Sequence, residues 1–242
     1  MVKKEIENSG KKEQLGNQKT YQYVFDYFSN QILSGEMKIN DKIPPERDIA
    51  EKLGVSRNSI REVMHMLEIN GLIECVQGSG NYVRCDPQDY MMKTVHMVMA
   101  LMNIDYTEIF HIRSGYELTA LRLAISNATE EEIKGIHEAL IKMEEAAEFE
   151  ESSHWDHEFH RRIIYASHNR MLILYASMIG DMTDQFIFDL RKRILGHYAD
   201  ADALSRAHWG IYDSLVNKDY TSGSVYMNKH FEVVGRELFH EY

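Results

Sequence analysis

The sequence predicts a mainly α fold in two parts: a first part of helices with one small β-hairpin, and an all-α bundle of about seven helices. Three observations carry this expectation. Charge is divided unevenly: residues 1–85 hold 12 Lys and Arg against 12 Asp and Glu, whereas residues 86–242 hold 15 against 26. The whole net charge of −11 therefore lies in the second part, together with every histidine except His65. The third observation is punctuation. After Pro87 there is no further proline and no two-residue alternation, only apolar residues at helical spacing.

The 242 residues are 44% hydrophobic, enough for two modest cores. No apolar run approaches the roughly 20 residues that span a bilayer. The opening MVKKEIENSGKKEQ lacks the apolar segment of a signal peptide, so a cytoplasmic protein is expected. Pairing about the Gly78–Gly80 turn sets Cys75 opposite Val83, away from Cys85, which predicts two buried thiols and no disulfide.

Taken in order, residues 1–18 are polar and without apolar period, as expected of a disordered tail. A first helix is expected from Thr20, its cap, to Gly35, its stop, with Tyr21, Val24, Phe25, Phe28, Ile32 and Leu33 on its inner face. After the connector EMKINDKI, Pro44 and Pro45 open a second helix whose inner face is Ile49, Ala50 and Leu53. Gly54-Val55-Ser56 makes a three-residue turn, and Ser56 caps a third helix over 56–70. That helix sets Ile60, Val63, Met64 and Leu67 on one side, with Ser56, Arg57, Asn58, Ser59 and Arg61 on the other. Helix, short glycine-containing turn and helix make a helix-turn-helix. Ile73, Cys75, Tyr82 and Val83 then flank a glycine turn, a hairpin placed as a wing. Residues 19–85 are thus predicted to be a winged helix-turn-helix, a fold that lays its second helix in the major groove of DNA.

An arginine near a helix N-terminus, such as Arg57, can meet two acceptors of a guanine. Ser56, Asn58 and Ser59 offer hydrogen bonds to phosphate or base. The run ILSGEMKINDKIPPERDIAEKLGVSRNSIREVMHMLEINGLIECVQGSGNYV resembles the DNA-binding domain of GntR-type bacterial regulators. The resemblance covers residues 20–85 and departs from the family pattern at Pro45, where serine is usual, and at Met64-His65. It implies that Arg47, Arg57 and Arg61 contact DNA and that Gln77 and Gly78 at the wing tip reach the groove edge. One such domain makes few phosphate contacts, so a homodimer on a two-fold operator is expected.

Beyond Asp86-Pro87, a linker, helices are expected at about 88–102, 106–127, 130–148, 152–167, 169–195, 201–218 and 220–241. The first carries Met91, Met92, Met97, Met99 and Met102, for which core packing is favoured over a soft surface. The long apolar 169–195 helix is expected to be central or at an interface. At about 100° per residue, Asp156 and His160 flank the arc of Trp155, Phe159, Ile163 and Ala166, while His157 and Arg161 turn outward. His208 lies in the arc of Leu204, Ile211 and Leu215, and His230 among Tyr226, Val233 and Val234. Three imidazoles and a carboxylate on three helices suit a divalent metal. Each residue alone reads equally as a satisfied core side chain, and His137 sits near an apolar arc too.

WDHEFHRRIIYASHN resembles the DxxFHxxI…N signature of the ligand-binding, FCD-type domain in the FadR-like branch of that family. RAHWGIYDSLVNKD and NKHF resemble its later pieces. The resemblance implies a seven-helix bundle and makes Asp156, His160, His208 and His230 ligands of Zn, Ni or Mn, with zinc favoured. It sets Arg113 at an effector cavity, with a salt bridge to Glu117 as the alternative. It implies a small carboxylate or sugar-acid effector, and the full ligand set argues against acyl-CoA. The expectation is a repressor controlled by such an acid. A metal-sensing regulator and a metal-dependent hydrolytic enzyme are the alternatives.

Overall fold

Val24 and Phe28 are one helical turn apart, and both are fully buried in a computed structural model that describes residues 19–86, 90–194 and 198–239. They belong to the helix over 19–33, α1, which packs with α2 (Glu46–Leu53) and α3 (Arg57–Ile69) around Ile49, Ile60, Val63 and Leu67. Leu33, expected inside, is 85% exposed. At about 100° per residue it lies half a turn from Val24. The helix also begins before Thr20, which is not its cap. Gly35 stops the segment with φ 75°, a left-handed conformation that glycine adopts without a steric penalty.

Pro45 directly precedes α2, and its carbonyl accepts from the Asp48 and Ile49 N–H groups. Gly54 closes α2 at φ 66°, and Ser56 caps α3, its Oγ accepting from the Ser59 N–H at 3.1 Å. The wing is β1 (Ile73–Val76) antiparallel to β2 (Gly80–Val83). Its loop is Gln77-Gly78-Ser79, so Ile73 faces Val83 and Cys75 faces Asn81, not Val83. The left-handed Gly78 closes the turn one residue earlier than a turn centred between the two glycines. Both cysteines are free and exposed, which corrects the expectation of buried thiols. Part of the EMKINDKI connector also joins the sheet: Val83 N–H donates to Asp41 and Ile43 N–H to Asn81, a third edge strand in outline.

The described residues form two compact units, divided between Lys93 and Thr94. The expected tail 1–18 and the proline of the linker lie outside the described residues. The second unit comprises α4 (Tyr90–Leu101), whose first residues precede the division, α5 (Tyr106–Asn127), α6 (Glu130–Glu145), α7 (Phe149–Ala166), α8 (Arg170–Ile194), α9 (Tyr198–Val216) and α10 (Tyr220–Phe239). Asp105 and Thr129 begin α5 and α6 with reciprocal capping boxes to Glu108 and Glu132. Leu121, Leu140, Phe159 and Ile211, from α5, α6, α7 and α9, meet in the core.

One expectation for this unit fails and a second is narrowed. Met97, Val98, Leu101 and Met102 are exposed, and of Met91, Met92, Met97, Met99 and Met102 only Met99 packs on the core, so α4 is not a core helix. Helix α8 flanks α7 and α10, with residues 172–178 half-buried and Leu190 and Ile194 buried, so of the two places expected for it the centre is ruled out and the interface is untested. Among the described residues no helix is long and apolar enough to cross a membrane.

Helices α9 and α10 make the tightest crossing, and it brings two histidine-bearing faces together. A Cβ on Gly210 would lie 2.2 Å from Tyr226 Cγ. Gly210→Ala is therefore expected to destabilise the unit by about 1–3 kcal/mol through overpacking, read as a lower urea midpoint. Unchanged stability would show that the two helices are free to separate.

Candidate metal centre and nucleic-acid surface

The amphipathic phase of α7 turns Asp156 and His160 inward, one turn apart, where both are buried. His208 from α9 and His230 from α10 arrive opposite them, and one ligand atom from each of the four lies within 4.8 Å of the others. His160 Nε2 and His208 Nε2 are 3.4 Å apart, and His208 Nε2 is 3.3 Å from Asp156 Oδ1. His230 is buried with its Nδ1 lacking any hydrogen-bond partner.

Two charged residues complete the cluster, and neither was singled out for it from sequence. Glu117 of α5 is buried, accepts from Arg113 Nε, and has Oε2 2.5 Å from His160 Nδ1. That last contact is close but not aligned as a hydrogen bond. Arg191 of α8 donates from Nη1 to Asp156 at 2.6 Å and from Nη2 to Ser152 Oγ at 3.0 Å. Arg113 therefore does form the salt bridge with Glu117, and it also borders a cavity. One cavity of about 100 Å³, beside His160, is lined by Arg113, Tyr116, Arg161 and Tyr165 among others. His157 and Arg161, expected to face outward, line it as well. A smaller one of about 20 Å³ touches Arg113, Asp156, Arg191 and His230. His137 stacks on Tyr212, away from this group.

Electrostatics prepare these residues for a cation. Burial would raise the Asp156 carboxyl, but Arg191 and His208 outweigh it and hold the group well below the usual range. Burial would likewise raise Glu117, which Arg113 and His160 bring down to about 2. Burial pushes His208 down to about 4 against the pull of Asp156, and holds His230 well below the usual imidazole range with help from His160 and His208. Neutral imidazoles and an ionised carboxylate are the forms that ligate metal. The donor set and the orphaned His230 nitrogen fit a divalent ion, with Glu117 as the outer carboxylate that orients a ligating histidine.

A pH dependence follows for the metal-free protein. His208 and His230 bind protons more readily unfolded than folded, so the unfolded state gains protons as pH falls below about 6.5. Stability should decline from pH 6.5 towards 4, by roughly 3 kcal/mol for His208 alone. Asp156 and Glu117 stay ionised across that window. Urea midpoints independent of pH over this range would contradict the assigned burial.

In the first unit Ser56, Arg57 and Asn58 are exposed on the outer side of α3 and Ser59 half-buried, with Gln77 and Gly78 exposed at the wing tip. Arg57 makes no hydrogen bond or ion pair among the described residues, and no other side chain holds it back from a ligand. Arg61 is tied across to Glu46 of α2 at 3.0 Å, and Arg47 lies loosely beside Asp48 at 3.4 Å. Lys42, on the edge strand, has its Nζ 5.9 Å from the centre of the Tyr82 ring of the wing, a contact that a plain connector would not make.

Residues 20–83 match the bacterial regulatory proteins of the gntR family, and residues 108–233, more than half the chain, match the FCD domain. The chain belongs to the GntR family. This GntR protein is similar to the Glc operon transcriptional activator of Escherichia coli, 27% identical over 77% of this chain and 76% of that one. It is 29% identical to the Uxu operon regulator of Haemophilus influenzae over 91% and 82%. A Mycobacterium tuberculosis HTH-type regulator is 32% identical over 71% and 69%. A solved GntR structure from Streptococcus agalactiae shares the fold, with a TM-score of 0.64 at 22% identity, covering 89% of this chain and 99% of that one. The protein is thus a DNA-binding transcription regulator and not an enzyme, which removes the hydrolytic alternative.

Proposed function

We propose that this GntR regulator is a cytoplasmic homodimeric repressor. A small carboxylate or sugar acid, held at a divalent metal on Asp156, His160, His208 and His230, with Arg113 beside it, sets its grip on a two-fold operator. The observation that carries this reading is the convergence of the four ligand atoms within 4.8 Å in a buried cluster bordered by Arg113. A cavity next to both a metal site and an arginine suits an anion that ligates the one and pairs with the other. That same cavity favours an organic effector over the ion itself as the signal.

DNA contact is assigned to Ser56, Arg57, Asn58, Ser59 and Arg61 on α3, Arg47 on α2, and Gln77 and Gly78 on the wing. Arg57 is the strongest candidate for reading a base, since it is both exposed and unpaired. The acid must bind the DNA-competent and incompetent arrangements of the dimer unequally, or it controls nothing.

A gel shift on DNA from upstream of the protein's own coding sequence tests the assignment. Arg57→Ala should weaken specific binding by about 1–3 kcal/mol, roughly 5- to 150-fold. Arg61→Ala should also lower stability, because it removes a tie to Glu46. Undiminished binding by Arg57→Ala would remove α3 from the recognition surface.

A further inference from the structure

The wing tip, Gln77-Gly78-Ser79, carries no charge. Within residues 72–84 the charged side chains are Glu74 and Arg84, and they neutralise each other at 2.6 Å, with Arg84 donating also to Asn40. A DNA duplex presents a negative charge about every 1.7 Å along its axis, so a hairpin at the edge of a groove stands among phosphates. Without a free cation it gains no electrostatic attraction there.

Lys42 supplies what the hairpin lacks. It stands on the edge strand, bridged to Tyr82, which is itself paired with Glu74. Directly paired residues share one face of a sheet, so these three lie on one side, opposite the buried Ile43, Ile73 and Val83. Lys42 is exposed, and beyond its contact with the Tyr82 ring its side chain has no hydrogen bond or ion pair among the described residues. The Tyr82 hydroxyl and Ser79 Oγ share a hydrogen bond at 2.7 Å, which anchors the ring behind the lysine to the wing tip.

Gly80 gives the lysine its direction. A Cβ there would lie 3.1 Å from Lys42 Cε and 3.8 Å from its Nζ, so the end of the side chain runs across the one residue of β2 that has no side chain. The ammonium group is thereby held at the turn end of β2, two residues from Gly78. The second wing glycine thus has a packing role in addition to its φ of 119°.

We propose that Lys42 is a phosphate-contacting residue of the DNA-binding unit, the free cation of a wing that has none of its own. An ammonium is a compact point charge, so it fixes the duplex backbone beside the groove without preferring a base. Reading a base remains with Arg57. The inference rests on the assignment of the wing tip to the groove edge.

Fluorescence anisotropy of the full-length protein over a range of salt tests it, with DNA from upstream of its own coding sequence and with a random-sequence duplex. Lys42→Met keeps the stem over Gly80 and removes the charge. For each bound chain it should flatten the slope of log K against log salt by about 0.9 and weaken binding about eightfold at about 0.1 M salt, by the same factor on both DNAs. Lys42→Arg should keep the wild-type slope. Gln77→Glu, which sets a carboxylate at the tip, should weaken both DNAs if the wing meets the duplex. An unchanged slope in Lys42→Met while Gln77→Glu binds weakly overturns the role of Lys42 alone; if Gln77→Glu also binds as wild type, the wing assignment falls with it. A slope lost equally in Lys42→Arg would make the residue a shaper of the wing. Weakening confined to the upstream DNA would make it a base reader, and either result overturns the phosphate contact.

Discussion

Replacing His208 with alanine is expected to empty the metal centre while leaving the DNA-binding unit folded. His208 is 1% exposed, and its Nε2 lies 3.4 Å from His160 Nε2 and 3.3 Å from Asp156 Oδ1, inside the ligand group. Loss of an outer-shell partner typically costs 10–100-fold in metal affinity, so loss of a direct ligand should cost about 100-fold or more. Elemental analysis after dialysis should find metal in the wild type and almost none in the variant. Basal DNA binding should persist, because the residues assigned to it belong to the other compact unit. Full metal content in His208→Ala would show that the four residues are not the ligand set.

Glu117→Ala should be the most damaging single change to stability. The carboxylate accepts from Arg113 Nε and lies against His160 Nδ1, and all three side chains are about 97% buried. Removing it strands the Arg113 guanidinium in a low-dielectric interior. Breaking a buried pair in this way costs about 3–5 kcal/mol. Equilibrium urea unfolding, run without metal so that ligation does not contribute, reads the loss. Glu117→Gln should recover part of it through hydrogen bonding. A loss below about 1 kcal/mol, typical of an exposed pair, would mean that Arg113 finds water or another acceptor.

Much of this arrangement was legible in the residues. The turn chemistry of Gly54 and Ser56 and the apolar stripe of Ile60, Val63 and Leu67 define the DNA-binding helix without any structure. Helical phase turned Asp156, His160, His208 and His230 inward, and resemblance made them one set. Glu117 and Arg191 were not legible as members of it. An Arg-x-x-x-Glu pair looks like a solvated salt bridge at i, i+4, and RKR at 191–193 looks like a surface run. A signal for Glu117 did exist: with Arg113 it interrupts the buried stripe Ile109, Phe110, Ala120, Leu121 and Ala124. Charges in the middle of an apolar face need buried partners.

The departures from expectation, and the place left open for α8, have a common cause. The methionines of α4 and the apolar residues of α8 show hydrophobicity but not what covers it. The wing register turned on one left-handed glycine, Gly78, and a shift of two positions moved Cys75 from Val83 to Asn81. Periodicity fixes which face a residue is on. It carries less information about what stands opposite.

The proposed function makes an acid held at the metal centre the controller of DNA binding. Fluorescence anisotropy of labelled upstream DNA, with zinc-loaded and chelator-treated protein titrated by small carboxylates and sugar acids, tests it most directly. At least one acid should shift DNA binding of the zinc-loaded wild type and have no effect after chelation or in His208→Ala. An acid that acts equally with and without metal would contradict it.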